Sequence, residues 1–294
     1  MSRRPLVYLI DSHVQIFRAY YSMPELLSQG GSPVGAVRGY LAQLVRFIAR
    51  QEPTHVAACW DQAPDSFRNE LYADYKQGRT EAPEDLEPQF ELCARATRAL
   101  GIPLYEYDRH EADDVIATLT GGLVDQGARV AIVTTDKDLS VLVSDRVTLF
   151  DLKKELHIDA TAIEEKFGVP PELVSEYLSL AGDSVDNIPG VSGIGGKTAA
   201  GLLTHFGSID AIPEDFEGWA GLELRGAKRV HQRLQDDREM LELSRELVRL
   251  REDLPLRPKL NELSYAGANH AELSELLDEI GGRAVLGRVP KFQQ

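Results

Sequence analysis

The chain has little that would place it in a membrane or in a disulfide-bonded scaffold. No apolar run in its 294 residues approaches the roughly 20 residues that span a bilayer. The two cysteines, Cys59 and Cys93, show no paired spacing, and Cys59 lies inside an apolar run. Both are interpreted as structural thiols of a reducing compartment, which predicts a cytoplasmic location.

The patterns of zinc enzymes and serine hydrolases are also missing. The seven histidines form no H-x₃₋₅-H pair and no cluster with cysteine, which argues against a zinc site. Ser32 follows two glycines, but Val34 stands where a nucleophile elbow needs its last glycine. The sequence therefore gives no candidate for a protein nucleophile.

Basic residues are scarce. The chain has 32 Lys and Arg against 47 Asp and Glu, a net charge of −15 and a pI near 4.9. A nucleic-acid-binding domain usually carries a basic surface, because neutralising phosphates supplies much of the affinity. This objection weakens if the carboxylates converge on metal ions, since bound divalent cations reverse the local field. The placement of the acids therefore decides the question.

Three apolar runs are predicted as buried strands, and each leads to aspartate. Residues 5–10 lead to Asp11, residues 54–60 to Asp61, and residues 128–134 to Asp136 and Asp138; residues 147–151 predict a further strand. Helical spacing over residues 33–50 and 86–100 alternates with these runs, which predicts an α/β fold with a mostly parallel sheet. Ligands bind at the carboxyl ends of such strands, so we expect the four aspartates to converge.

A dense acidic motif, Glu111-Ala-Asp113-Asp114, opens the next predicted helix. The helix dipole favours acids there, but three carboxylates are more than capping needs. With the four aspartates they make seven carboxylates, which would repel one another without cations. Ligation by oxygen alone predicts Mg²⁺ or Mn²⁺, and two such ions suit the hydrolysis of a phosphodiester.

From about residue 169 the pattern changes to short helices separated by glycine and proline. We therefore predict an α/β domain over residues 1–168, which carries the metal-binding carboxylates, and a helical domain with a C-terminal tail over residues 169–294. Asp183 and Asp186, in the segment 182–190, are two further candidate ligands, although simple turn chemistry also accounts for that segment. A helix over residues 271–280 is expected to pack and not to act chemically.

The segment 190–200 contains Gly-Lys-Thr, which is reminiscent of a P-loop. A P-loop needs glycine at 191, where this chain has Val191, and no strand precedes it, so no nucleotide cofactor is expected. The spacing fits a helix–hairpin–helix better, in which main-chain amides bind phosphate without many basic side chains. An ordinary glycine-rich turn is the alternative. The predicted DNA-binding residues are Gly193, Gly195, Lys197 and Thr198.

Together these motifs resemble the 5′ nuclease (flap endonuclease) family, especially the 5′-3′ exonuclease domain at the front of bacterial DNA polymerase I. The likeness runs from about residue 6 to 254 and suggests a stand-alone member. Its motifs are Leu9-Ile-Asp11, Phe17-Arg-Ala-Tyr20, Phe67-Arg-Asn-Glu70, Tyr75-Lys76-Gln-Gly-Arg79, Glu111-Ala-Asp-Asp114, Thr135-Asp-Lys-Asp138 and the segment 182–190.

The resemblance implies roles for individual residues. Lys76 and Arg79 match the basic pair at the base of a helical arch, where they would stabilise charge on the scissile phosphate; solvated surface charges are the alternative. The hairpin would bind duplex DNA and hold K⁺. Residues 80–91 depart from the family in being strongly acidic, with Glu87 where relatives often carry arginine. Two metal sites are implied, one formed by Asp11, Asp61, Glu111 and Asp113, and the remainder by Asp114, Asp136, Asp138, Asp183 and Asp186.

The resulting hypothesis is a monomeric, structure-specific 5′-3′ exonuclease or flap endonuclease of DNA replication or repair. It would hydrolyse DNA phosphodiesters at 5′ flaps and at nicked or branched duplexes by a two-metal mechanism. Two alternatives stay open at this point. One is a DNA-structure-binding protein without catalysis, and the other is a related nuclease that cleaves RNA.

Overall fold

A six-stranded sheet forms the centre of the protein. The structure, a computed structural model, describes residues 4–62, 65–78 and 82–293. The strands described there are β1 (Leu6–Asp11), β2 (His55–Cys59), β3 (Leu104–Tyr105), β4 (Arg129–Val133), β5 (Val147–Asp151) and β6 (Leu156–Ile158). Their order in the sheet is β3-β2-β1-β4-β5-β6, and every neighbouring pair is parallel except β5–β6. The predicted α/β fold with a mostly parallel sheet is confirmed.

Helices connect these strands and make up the second half of the chain. The α-helices of the described residues are α1 (Ser12–Ser22), α2 (Gly35–Gln51), α3 (Phe67–Leu71), α4 (Glu87–Ala99), α5 (Ala112–Asp125), α6 (Ala160–Phe167), α7 (Val174–Ala181), α8 (Gly196–Phe206), α9 (Ala227–Asp236), α10 (Arg238–Val248) and α11 (His270–Ile280). The bounds of α2, α4 and α11 lie within two residues of those that the sequence pattern predicts. None of the described helices combines the length and apolar composition needed to cross a membrane.

Both faces of the sheet are buried, which explains why its strands are continuously apolar. Along β1, Val7 and Leu9 point into a core shared with α5 and the helices of the second half, while Tyr8 and Ile10 point into a core shared with α1, α2, α4 and α11. Side chains of a strand alternate between faces, so each apolar run serves both cores. The helical second half therefore packs directly on the sheet, and the tail helix returns to its opposite face.

The sheet topology brings the predicted site together at one point. The strand β2 lies on one side of β1, and β4 lies on the other side. The order in which the chain adds strands to the sheet therefore reverses at the β1–β4 pair. Asp11 is in register with Cys59, and Ile10 with Val133. The residues that follow these strand ends consequently meet at a topological switch point, where open α/β sheets bind ligands.

A buried ion pair fixes the start of α5 beside this point. Arg68 in α3 is 2% exposed and Asp114 is 0% exposed. Nη1 and Nη2 of its guanidinium group donate to the two carboxylate oxygens of Asp114, each at 2.8 Å. Arg68 also donates to the main-chain oxygens of Leu247 at 2.8 Å and Arg249 at 2.9 Å, so one side chain connects α3, α5 and the end of α10.

Replacing Asp114 by alanine is expected to destabilise the protein strongly. The change leaves the guanidinium of Arg68 buried without its counter-ion, which costs about 3–5 kcal/mol. Urea unfolding followed by circular dichroism measures the loss. Asp210→Ala is the matched control, since Asp210 makes a two-bond pair with Arg245 on the surface, at 2.9 and 3.1 Å. Equal effects of the two substitutions would contradict this view of the buried pair.

Candidate active site

A chain of hydrogen bonds joins the end of β1 to the loop after β4. Asp11 ends β1 and caps α1, where its carboxylate accepts from the amide of Val14 at 3.4 Å. Thr134 donates its hydroxyl to the other oxygen of Asp11 at 2.7 Å and accepts from the amide of Asp136 at 2.9 Å. The amide of Asp138 in turn donates to Asp136 at 3.0 Å. The three aspartates predicted at these strand ends therefore lie side by side.

Asp61 connects this group to the start of α5. Its carboxylate accepts from the amide of Ala112 at 2.6 Å, so Asp61 satisfies one of the open donors of that helix. The amide of Asp61 donates to Nδ1 of His13 at 3.2 Å. Burial lowers the pKa of His13 although Asp61 opposes this, so the imidazole is neutral and Nδ1 acts as an acceptor.

Glu111 is held ionised by the residues around it. It accepts from the hydroxyl of Ser66 at 3.0 Å and of Tyr75 at 3.3 Å. The ammonium of Lys76 lies 2.9 Å from its carboxylate. Burial alone would raise the pKa of Glu111, but Lys76 and Arg68 outweigh it and hold that pKa below its ordinary value. Lys76 thus lies beside the acids. Arg79, the other predicted catalytic cation, lies outside the described residues.

The pKa values of the neighbouring carboxyl groups are shifted in the opposite direction. Burial and then Asp136 raise the pKa of Asp113 well above its ordinary value. The pKa of Asp11 rises to about 7, because it is buried and faces Asp136 and Asp61. Several carboxylates this close in a buried site resist ionisation unless a cation compensates them. Additional positive charge, such as a bound cation, would therefore stabilise the ionised form of these carboxyl groups.

A second group of acids adjoins the first. Oxygen atoms of Asp138, Asp183 and Asp186 lie within 4.8 Å of one another. Burial and Asp136 raise the pKa of Asp138 to about 7. Its buried Oδ1 atom accepts no hydrogen bond from the described residues, and the ammonium of Lys137, which also contacts Asp183, lies 3.3 Å from it. A buried carboxylate oxygen that accepts no hydrogen bond and converges with other carboxylate oxygens fits a divalent cation.

Asp183 and Asp186 come from a short loop that reaches the sheet. We call residues 183–188 the acid loop; its ends pair through the main chains of Asp183 and Ile188 at 2.9 and 2.8 Å. It follows α7 directly, so the second half of the chain supplies ligand candidates to a site that begins on the first half. Eight of the nine predicted carboxylates lie close enough to influence one another's pKa or to share a cation. We call them the acid cluster: Asp11, Asp61, Glu111, Asp113, Asp136, Asp138, Asp183 and Asp186.

Asp114 requires a correction. The resemblance placed it among the metal ligands, but both of its oxygens are bound by Arg68, and one also accepts from the amide of Arg251 at 2.9 Å. A carboxylate that is fully buried and neutralised by arginine has no free lone pair directed at the acid cluster. Its place in the structure is that of an anchor for α5.

The predicted hairpin joins α7 to α8 beyond the acid loop. Gly193 has a φ of +77°, and the space beside Gly193 and Gly195 is open. Gly195 is the N-cap of α8 and has no side chain to cap the helix amides, and Lys197 is exposed on the first turn. Open glycines before an uncapped helix N-terminus form a surface that an anion can approach closely. Thr198 lies in the same turn, and its amide bonds back to the oxygen of Gly195 at 2.9 Å.

Several residues at the site were not among those predicted from sequence. Thr134, Lys137, His13 and Asn187 all contact the acid cluster or its loops. Lys137 stands between two predicted ligands, so its position in the motif was a usable signal. The contacts of His13 and Asn187 are made with residues distant in sequence, and no local pattern indicates them.

Two family models match this chain, one after the other. The family model described as the 5′-3′ exonuclease N-terminal resolvase-like domain matches residues 6–168, and the 5′-3′ exonuclease C-terminal SAM fold matches residues 169–271. A 5′-3′ exonuclease of Aquifex aeolicus is 33% identical, over 97% of this chain and 96% of its own length. DNA polymerase I of Pseudomonas aeruginosa is 39% identical over 92% of this chain, which spans only 30% of the polymerase.

A solved structure shows the same fold. The flap endonuclease of bacteriophage T5, in a pseudo-enzyme–product complex with DNA and metal ions, superimposes with a TM-score of 0.66 at 20% identity, over 96% of this chain and 98% of that one. This likeness extends over the sheet and the helical half alike. With both family models matched in order, the chain belongs to the 5′-3′ exonuclease family of nucleases.

Proposed function

We propose that this protein is a two-metal, structure-specific 5′-3′ exonuclease and flap endonuclease acting on DNA. The observation that carries the proposal is the acid cluster at the switch point of the sheet, with Lys76 beside it. Asp113, Asp11 and Asp138 all have raised pKa values, which is the electrostatic state of a site that binds cations. Membership of the exonuclease family supports the same reaction class.

The acid cluster divides into two candidate metal sites. Asp11, Asp61, Glu111 and Asp113 would hold one divalent ion, and Asp136, Asp138, Asp183 and Asp186 the other. All the donors are oxygen atoms, which favours Mg²⁺ or Mn²⁺ over softer metals. Such ions, when bound, activate water as a nucleophile and neutralise the developing charge of a phosphodiester. The T5 flap endonuclease, which has the same fold, was crystallised with DNA and metal ions, and this supports metal binding here.

The protein's own residues would orient the reacting phosphate. Lys76 donates toward the acid cluster from the segment after α3, and Glu111 keeps its ammonium in place at 2.9 Å. A cation held there stabilises charge on the phosphate oxygens in the transition state. Arg79, three residues later, is proposed for the same role. Thr134 and Ser66 fix the rotamers of Asp11 and Glu111, which lowers the cost of organising the site.

The hairpin would bind the duplex next to the cut. Main-chain amides at Gly193 and Gly195 and the N-terminus of α8 can bind phosphate oxygens, with Lys197 and Thr198 beside them. Neutral donors of this kind allow an acidic chain to bind DNA. A K⁺ ion at the hairpin is proposed on the family resemblance. We further propose that the protein acts as a monomer in the cytoplasm; the two buried, unpaired cysteines suit a reducing compartment.

Two rival functions make different predictions. A binding protein without catalysis has no need for repelling carboxylates around Lys76, so the acid cluster counts against it. An RNA-cleaving nuclease would share the acid cluster, and the choice between RNA and DNA depends on the hairpin. Cleavage of matched DNA and RNA flaps by the same preparation separates these alternatives.

The first test is cleavage of a 5′-labelled flap duplex. We expect cutting near the junction with Mg²⁺ and none in EDTA. Asp113→Ala should abolish cutting, because it removes a central ligand, and Lys76→Ala should slow it by about 10²-fold. Asp278→Ala, on the outer surface of α11, is the control and should cut normally. A flap that is bound but left intact by the unaltered protein would establish the non-catalytic alternative.

Metal affinity is expected to depend on pH. Asp11 and Asp138 have pKa values of about 7 in the metal-free protein, so both hold protons at pH 6 and release them by pH 8. Protons compete with Mg²⁺, and affinity should fall about tenfold for each pH unit below 7 per proton released. The stability of the metal-free protein has the opposite pH dependence. The folded state binds protons at Asp11 and Asp138 that the unfolded state releases, so the free energy of unfolding rises as pH falls from 8 to 6. Calorimetric titration and urea unfolding at both pH values measure the two effects, and pH-independent Mg²⁺ binding would contradict the assignment.

Gly195→Ser tests the hairpin. Serine is a good N-cap, so α8 should keep its stability, but the hydroxyl would occupy helix amides and the new side chain would block close approach of a phosphate. We expect affinity for a nicked duplex to fall about tenfold with unchanged unfolding. Gly121→Ala is the control, because Gly121 has equally open surroundings on α5. Fluorescence anisotropy gives the dissociation constants, and unchanged affinity would remove the hairpin from the proposed DNA surface.

A further inference from the structure

Two segments that are far apart in sequence are hydrogen-bonded to each other beside the acid cluster. One is the arch-base turn, residues 72–78, which follows α3 and carries Lys76. The other is the acid loop. The amide of Lys76 donates to the main-chain oxygen of Asp186 at 2.9 Å, and the side-chain amide of Asn187 donates to the main-chain oxygen of Asp74 at 2.7 Å. The two segments therefore hold each other through a pair of bonds running in opposite directions.

Both central residues of this contact have unusual backbone conformations. Lys76 has a φ of +57° and Asn187 a φ of +53°. A left-handed conformation costs about 1 kcal/mol or more for a residue with a side chain, although asparagine tolerates it better than lysine does. Lys76 consequently needs its surroundings to maintain this conformation. The bonds from Lys76 to the acid loop and from Asn187 to the turn supply that restraint.

The conformation of Lys76 decides where its ammonium points. With this backbone the side chain reaches the oxygen of Glu111 at 2.9 Å. A change of φ to the ordinary negative region would redirect the side chain at its root. The position of the cation at the acid cluster thus depends on a contact made by the second half of the chain.

We propose that Asn187 is a positioning residue for Lys76. Its side-chain amide fixes the arch-base turn against the acid loop, so that the lysine cation faces the phosphate to be cut. The inference rests on the proposed function, in which Lys76 acts on that phosphate. It adds a residue outside the acid cluster to the requirements of the reaction. It also gives the acid loop a second task, since the loop that supplies Asp183 and Asp186 then orients the cation as well.

Asn187→Gly is the informative variant. Glycine adopts a φ of +53° without strain, so the loop backbone is preserved while the donor to Asp74 is lost. We expect kcat on a flap substrate to fall about tenfold with KM changed less than twofold, since a small misplacement of a catalytic group has effects of this size. Asn261→Gly, at an exposed asparagine remote from the site, is the control.

A double-mutant cycle separates positioning from general damage. If Asn187 acts through Lys76, Asn187→Gly should cause no further loss in the Lys76→Ala background. Equal losses in both backgrounds would overturn the proposal. The affinity for Mg²⁺, measured by calorimetry, should stay within twofold, which shows that the acid loop is intact; a large drop would mean that Asn187 serves the metal ligands instead.

A readout without catalysis keeps this inference distinct from the proposed function. Trypsin cuts after lysine, and the restraint by Asn187 should protect the bond after Lys76. We expect Asn187→Gly to raise cleavage at that bond at least fivefold in metal-free protein, as followed by mass spectrometry, while Asn261→Gly leaves it unchanged. Unaltered protection would overturn the contact itself. If the unaltered protein cut no flap, the proposed function would fail while this test of the contact still stood.

Discussion

Repulsion between buried carboxylates is the constraint around which this structure is organised. The acid cluster brings eight carboxyl groups to one switch point, and the pKa values of Asp11, Asp113 and Asp138 are raised, first by burial and then by the neighbouring carboxylates. Nearby groups oppose that repulsion. The hydroxyls of Thr134 and Ser66 and the amide of Ala112 donate hydrogen bonds to carboxylates of the cluster. Lys76 and Lys137 add positive charge beside it. The fold keeps a locally unfavourable arrangement because two large apolar cores hold the sheet in place, and the remaining charge imbalance is what makes the site receptive to cations.

The sequence predicts those features that depend on local pattern and strand direction. The strands β1, β2, β4 and β5 and the convergence of their aspartates follow from apolar runs in a parallel sheet. By contrast, β3 has two residues and β6 has three, mostly exposed, so neither produces a pattern. Asp114 could not be separated from its neighbours by motif alone, because its partner Arg68 lies 46 residues away. The contact between Asn187 and Asp74 spans 113 residues and is equally invisible in the sequence.

The net negative charge of the chain argues against DNA binding only when the positions of the charges are ignored. The carboxylates that matter are concentrated at the acid cluster, where cations would offset them. The proposed duplex surface offers main-chain amides of the hairpin, which carry no net charge. A protein with a net charge of −15 can thus present a surface suited to phosphate without a broad basic patch.

The backbones of Gly182 and Gly190 approach each other closely on either side of the acid loop. A side chain at Gly190 would meet the main-chain nitrogen of Gly182 at 2.3 Å, so the residues that flank the acid loop lie in direct contact. The hairpin follows immediately at residue 190. The hairpin proposed to bind the duplex is therefore separated from the acid loop, proposed to bind metal, by residue 189 alone. A duplex bound at the hairpin would then lie close to Asp183 and Asp186, whatever its base sequence.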